Sequence, residues 1–301
     1  MNIIRMTGGL GNQMFQYALY LKLKSMGREV KLDDISEYHM ENSRPIMLWA
    51  FGIDYPKADK QEINALTDGD MDFLSRIRRK VFGRKSLEYH EKDNNFDEQV
   101  LRKDPAYLTG YFQSEKYFES VKAQVREAFH FTEKIWQEIS GEQEEIIKGY
   151  KKQVENTQSV AVHIRRGDYL QVSEVYGGIC TEEYYRKAIA LMKEKFPKAV
   201  FYIFSNDTDW AAEWAHKYST EENPFVVIKG TTEETGYLDL LLMSRCKHYI
   251  IANSSFSWWG AWLGCSPDKC VVAPSVWLNG KECRDIYIDD MIRVSSIGEI
   301  I

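Results

Sequence analysis

The sequence has no CxxC pair and no grouped histidines. Its cysteines, at 180, 246, 265, 270 and 283, are odd in number and lack the spacing of a disulfide framework. They predict reduced thiols in a cytosol-like compartment. No stretch reaches the roughly 20 apolar residues of a membrane-spanning helix. The start, Met1–Met6, is too short for the apolar region of a signal peptide. Excess positive charge is absent as well: the net charge is -6 over 301 residues, which argues against a general nucleic-acid binder. The expectation is a soluble, cytoplasmic protein of one large or two medium domains. Its 44% hydrophobic content allows a sizeable core.

What is present centres on Val160–Tyr169. A short apolar run with β-branched residues, Val160-Ala161-Val162-His163-Ile164, reads as a buried strand. Arg165-Arg166-Gly167-Asp168 follows as a loop at its carboxyl edge, where open α/β sheets bind ligands. An arginine there offers a planar fork of donors suited to phosphate oxygens. The plain alternative is a surface turn with a local Arg–Asp pair.

In chain order, Asn2–Met6 reads as a strand, Thr7–Gln13 as a glycine loop, and Met14 to Leu23 as a helix ended by Gly27. Val30–Leu32 is the next strand, closing with Asp33-Asp34. The loop is not a dinucleotide fingerprint, because Met14 stands where the third glycine belongs. Arg76–Lys85 is basic with Phe73, Ile77, Val81 and Phe82 interleaved. Two readings stand: an amphipathic helix on an anionic membrane, or a solvated helix face. Tyr107–Phe112 resembles a strand leading to an aromatic loop, with Tyr111, Phe112 and Tyr117 as either a sugar-stacking surface or core. Lys116–Ala128 and Glu133–Lys152 read as helices, and a domain boundary is placed near residue 155.

Beyond the central motif, strands and helices alternate. Thr181 is a candidate N-cap for a helix to about Phe196. Ala199–Phe204, Phe225–Ile228, His248–Ile251 and Val271–Ala273 read as strands, and Glu233–Arg245 as a helix. This alternation predicts a parallel sheet covered on both faces. Polar clusters at 165–168, 205–209 and 253–257 then fall at the carboxyl ends of three strands. The third also opens a helix, whose free N–H groups and dipole suit a phosphate. Simple N-capping is its plain reading.

Four of these pieces together resemble the α-1,2-fucosyltransferases of glycosyltransferase family 11. They are Gly8–Ala18, His163–Asp168, Phe204–Asp207 and Asn253–Gly260, in family order. The resemblance implies a GT-B-like α/β fold: two Rossmann-like domains whose parallel sheets face a central cleft. Residues 1–155 would form the acceptor-side domain and 156–301 the GDP-fucose-binding domain, with a final helix packing back on the first. It implies inverting, metal-free transfer of L-fucose from GDP-β-L-fucose to a galactose 2-hydroxyl, with no cofactor. Arg165 is similar to the arginine that neutralises the diphosphate, and His163 to the histidine beside the nucleoside. Asp239 resembles a guanine-reading carboxylate. Ser254 and Ser255 resemble phosphate-side donors, with Asn206 and Gly11 also on the donor side. Asn12 and Gln13 would reach the fucose. The acceptor is expected to be a galactose-containing oligosaccharide or lipid-linked glycan, which would put the protein at the inner membrane face if Arg76–Lys85 meets lipid.

The chemistry asks for such parts. Negative charge grows on the β-phosphate as the anomeric C–O bond breaks, and fixed donors aimed there are usually the largest catalytic contribution. The acceptor hydroxyl must also lose a proton, and Asp168 and Asp33 are both candidate bases. Two other readings stay open. Asp207-Thr208-Asp209 after an apolar strand suits a metal-dependent GT-A transferase. The tryptophans and tyrosines suit a non-catalytic carbohydrate-binding protein.

Overall fold

The computed structural model describes residues 1–37, 44–166 and 172–301. The chain divides into two compact units. The first comprises Met1–His130 with Arg284–Ile286, and the second Phe131–Cys283 with Tyr287–Ile301.

The first unit holds strands β1 (Asn2–Arg5), β2 (Val30–Asp33), β3 (Glu88–His90) and β4 (Ala106–Thr109). They form a parallel sheet in the order β2-β1-β4-β3. Helix α1 (Leu10–Ser25) buries Met14, Phe15, Ala18, Leu19 and Leu23, and Gly27 follows it with a positive φ of 77°. Helices α2 (Lys60–Thr67), α3 (Phe73–Phe82), α4 (Glu98–Arg102) and α5 (Lys122–Ala128) complete the unit. The helix expected over Lys116–Ala128 begins instead with two 3-10 turns and becomes α-helical only at Lys122. Phe112 and Tyr117 are core residues, and of the three loop aromatics only Tyr111 is exposed.

The second unit is built on six parallel strands in the order β10-β9-β8-β5-β6-β7. They are β5 (Gln158–Ile164), β6 (Ala199–Ser205), β7 (Phe225–Val227), β8 (His248–Ile250), β9 (Val271–Pro274) and β10 (Met291–Val294). The helices are α6 (Lys134–Gln137), α7 (Gly141–Asn156), α8 (Ser173–Tyr176), α9 (Glu182–Lys195), α10 (Thr208–Tyr218), α11 (Gly236–Arg245) and α12 (Ser255–Leu263). From Ser159 to Ile164 every β5 residue is buried, as expected of a central strand with both faces covered. Its valines join Tyr184, Ile189, Phe201 and Trp214 in one core.

The division falls at residue 130, not 155. Helix α7 buries Ile147 and Val154, and packs on α11 and β5, so it belongs with the second sheet. The helix expected over Glu133–Lys152 is broken at Ser140, whose hydroxyl accepts from the Gln143 N–H and caps α7. No final helix follows β9 among the described residues. That segment holds a 3-10 turn at Arg284–Ile286, which joins the first unit, and strand β10 in the second. Phe96 N–H donates to Asp285, and Asn95 accepts from the Arg284 and Asp285 N–H groups, which ties that turn down. All five cysteines are free thiols, and no helix among the described residues is long and apolar enough to cross a membrane.

Candidate functional site

Because the second sheet is all parallel, the carboxyl ends of its strands lie along one edge, the usual ligand edge of an open α/β sheet. At the end of β5, His163 is buried. The Tyr185 hydroxyl donates to its carbonyl at 2.9 Å. Its ring lies 5.8 Å from that of Phe256, in the first turn of α12. This contact joins the end of β5 to the start of α12. Arg165 and Arg166 then line a cavity of about 240 Å³ with Tyr176, Cys180, Trp210 and Asn253. Hydrogen bonds tie two of these lining residues down: Asn253 donates to the Trp277 carbonyl and accepts from the Cys180 thiol. Burial pushes that thiol up to about 12, so it stays protonated and serves as a donor.

The two arginines differ. Arg166 stacks its guanidinium over the Trp210 ring at 4.1 Å and pairs with Asp207 at 3.3 Å. Its N–H donates to Asn206 Oδ1. A part-exposed ion pair contributes about 0–1 kcal/mol, and cation–π stacking about 0.5–2 kcal/mol, so the ring holds this side chain at least as firmly as the carboxylate. Asn206 is exposed, and its carbonyl is engaged in holding the β5 loop. Asp207 caps α10 by accepting from the Trp210 N–H, so the first carboxylate of the Asp207-Thr208-Asp209 motif already has two protein partners. Asp168 lies outside the described residues.

At the end of β8, the chain enters α12 through Asn253 and Ser254. Ser254 is extended (φ -137°, ψ 126°), and its side chain makes no capping hydrogen bond. The plain N-capping reading therefore fails. The first turn of α12 holds no acidic residue, so the helix contributes nothing of its own there to offset the positive end of its dipole. Ser257 turns inward instead, donating to the Ser254 and Ala252 carbonyls.

Asp239 sits in the first turn of α11, the helix between parallel strands β7 and β8. Such a helix runs back from the carboxyl edge of the sheet, so its first turn lies on that edge. Helices α11 and α12 pack together, at a separation that Gly260 permits. A Cβ on Gly260 would sit 2.9 Å from Met243 Cβ. The Asp239 oxygen Oδ1 is fully buried with no hydrogen-bond partner. Burial pushes its pKa up to about 7, and a hydrogen bond with Thr231 offsets part of the rise.

The glycine loop of the first unit is different. Gly8 has a positive φ of 75°, and a Cβ there would lie 2.4 Å from Asn12 Nδ2, so the loop requires glycine. Gly11 is buried in the first turn of α1. Asn12 is half-buried and accepts from Gln113 Nε2 at 2.8 Å. Gln13 corrects the expectation that it reaches a sugar. It is fully buried; its Nε2 donates to the Gly8 and Pro45 carbonyls, and its Oε1 accepts from Met47 N–H. Gln13 thus braces the loop from behind. Asp33, a candidate base, is likewise engaged within the protein. It is fully buried, accepting from the Ile35 and Ser36 N–H groups and from the Ser36 and Tyr107 hydroxyls.

Sequence reasoning missed Tyr185, Trp210, Cys180 and Gln113. Each is an ordinary residue on a helix or loop, whose role comes from a partner distant in sequence. Phe112 was also missed as a backbone feature. It takes a positive φ of 53°, held by Glu91 accepting from the Tyr111 and Phe112 N–H groups.

The sequence pattern of glycosyl transferase family 11 matches residues 74–291. An alpha-1,2-colitosyltransferase of Escherichia coli is 32% identical over 93% of this chain and 93% of its own length. An O-antigen biosynthesis glycosyltransferase, WbnK of Escherichia coli, is 31% identical over 96% of this chain and 99% of its own. The galactoside alpha-(1,2)-fucosyltransferase 1 of Homo sapiens is 27% identical over 52% of this chain and 42% of its own.

Proposed function

Since the chain belongs to glycosyltransferase family 11, we propose that it transfers L-fucose from GDP-β-L-fucose to the 2-hydroxyl of a galactose-type acceptor, with inversion and without a metal ion. The observation that carries the donor reading is the buried, unpartnered Oδ1 of Asp239. A buried acceptor without a donor is destabilising by about 1–3 kcal/mol, so it calls for a ligand that supplies N–H groups. Guanine does so through N1–H and N2–H₂, which one carboxylate accepts together; adenine has no such pair.

The diphosphate falls to Arg165 and the first turn of α12. In the single displacement the acceptor oxygen attacks the anomeric carbon as the bond to the β-phosphate oxygen breaks. GDP leaves with the bonding pair, and the β-linked donor gives an α-linked product. Arg165's planar fork and the N–H groups of α12 hold the charge that grows on the leaving oxygen. His163, anchored through Phe256 to α12, borders the nucleoside. Asp168 is the remaining candidate to take the hydroxyl proton, and Asn12 the remaining first-unit candidate for the sugar. The α-1,2 linkage in the names of two relatives supports the acceptor position.

A second donor has an observation behind it: a relative is named for colitose, which is L-fucose without its 3-hydroxyl. The test is a mass-spectrometric transfer assay with a galactose-terminated oligosaccharide and a panel of sugar nucleotides including both donors, with and without EDTA. Transfer from GDP-fucose that survives EDTA, with an α-1,2 product by NMR, is expected. A tenfold preference for GDP-colitose replaces the donor. Activity abolished by EDTA and restored by a divalent cation would return the metal-dependent reading. Absence of guanine-nucleotide binding would leave a carbohydrate-binding protein.

A further inference from the structure

Helix α3 in the first unit is arranged the reverse of an ordinary surface helix. None of its residues is buried. Phe73, Leu74, Ile77 and Val81 share one stripe by their spacing, and they stand in solvent: Phe73 is 74% exposed, Leu74 75% and Val81 65%. Met71 (79%), just before the helix, and Phe82 (73%), its last residue, add to the exposed apolar area.

The side facing the protein is polar. Arg79, opposite the stripe, donates to the Asp68 and Asp70 carbonyls. Arg78 pairs with the Asp68 carboxylate, which also accepts from Lys85 N–H at 2.9 Å. Asp68 itself takes a positive φ of 55°. Arg84 donates to the Thr67 carbonyl. Asp68 thus clasps both the helix and the turn after it, and fixes the apolar stripe outward. Arg76 and Lys80 flank the stripe, with Lys85 beyond the helix. No acidic residue occurs between Asp72 and Glu88, in a chain of net charge -6.

We propose that α3 docks on an anionic phospholipid surface, with its apolar stripe in the acyl boundary and Arg76, Lys80 and Lys85 on lipid phosphates. Amphipathic helices of this kind bind through buried apolar area together with attraction to anionic lipid. An exposed apolar patch rimmed by charge marks such an interaction site. Charge argues against a second copy as the occupant. A two-fold pair would set the same basic rims against each other.

Flotation of the full chain with vesicles tests this, using phosphatidylglycerol–phosphatidylethanolamine mixtures against pure phosphatidylcholine. Co-flotation with the anionic vesicles at low salt is expected, weakened by added salt. The double variant Ile77→Glu/Val81→Glu should lower the partition at least about tenfold. Arg76→Gln and Lys80→Gln should each lower it roughly fivefold, as about 1 kcal/mol per cation implies. Because α3 buries no side chain, these variants should keep the wild-type circular dichroism and melting curve. Failure of the wild type to float with anionic vesicles, or flotation unchanged in Ile77→Glu/Val81→Glu, overturns the proposal. So does a solution dimer that this variant converts to monomer while vesicle binding is unchanged.

Discussion

At the end of β1, the loop into α1 is braced by side chains whose polar atoms turn back into the protein. Gln13 uses both its donors and its acceptor on loop backbone, and Gln16 spans Thr7 and Gly110. Asp33, at the end of β2, accepts from four groups. At the carboxyl edge of the second sheet the bookkeeping differs. Ser254 makes no cap, and Asp239 keeps a buried oxygen without a partner. Both places are strand-to-helix turns rich in small polar residues, yet Gln13, Gln16 and Asp33 are satisfied from within the protein while Ser254 makes no cap and Asp239 keeps an unpartnered oxygen. Saturated groups define a scaffold; a buried unsatisfied group is tolerated where a ligand supplies the missing partner.

The largest effect expected from this contrast is at Arg165. Lysine keeps the charge and loses the planar fork. Arg165→Lys should lower kcat by on the order of 10²–10³ while the protein remains folded and binds GDP. Steady-state transfer decides it; a variant retaining more than about a tenth of kcat moves the charge-stabilising role elsewhere.

Gln13 should behave in the opposite way. Gln13→Ala strands Gly8 O, Pro45 O and Met47 N–H, and should lower unfolding stability by roughly 2–4 kcal/mol. Denaturant titration measures this. A near-neutral stability change together with a tenfold rise in donor KM would make Gln13 a ligand contact after all. Asp239 should show a third pattern. Its carboxyl titrates near 3.9 when unfolded and at about 7 when folded. The folded state therefore holds the extra proton between these values, and stability falls as pH rises from about 4 to about 7. At pH 8, Asp239→Asn should melt higher, by roughly 1–3 kcal/mol in stability, while binding donor less tightly. Arg166→Lys should be mildest, near 1 kcal/mol or less, because stacking on Trp210 weakens while the pair with Asp207 survives. Chemical denaturation separates these two effects.

The α/β alternation, the two parallel sheets and the strand-end clusters were legible because they rest on local signals: β-branched runs, glycine, and cap residues such as Thr181, which accepts from Tyr184 N–H as its position suggests. The division at residue 130 was not, since nothing in the charged run of α7 shows which sheet buries Ile147 and Val154. Strands β3 and β10 escaped for a related reason: each is short and stabilised by a neighbour distant in sequence. Asp239 was visible as a lone carboxylate among apolar residues, but its buried oxygen was not. Gln13 and Asp33 misled because residue type reveals chemistry and not whether that chemistry is already occupied.

The central claim is that Asp239 is left unsatisfied for the guanine. Calorimetric titration with GDP-fucose, whose diphosphate has no titrating group near pH 7, tests it at pH 6 and pH 8. Guanine binds the ionised carboxylate, and the free protein's group titrates at about 7. Wild-type affinity should therefore weaken roughly tenfold from pH 8 to pH 6, and Asp239→Asn should bind weakly with no such slope. Equal slopes in the two proteins, or equal affinities at pH 8, would contradict the account.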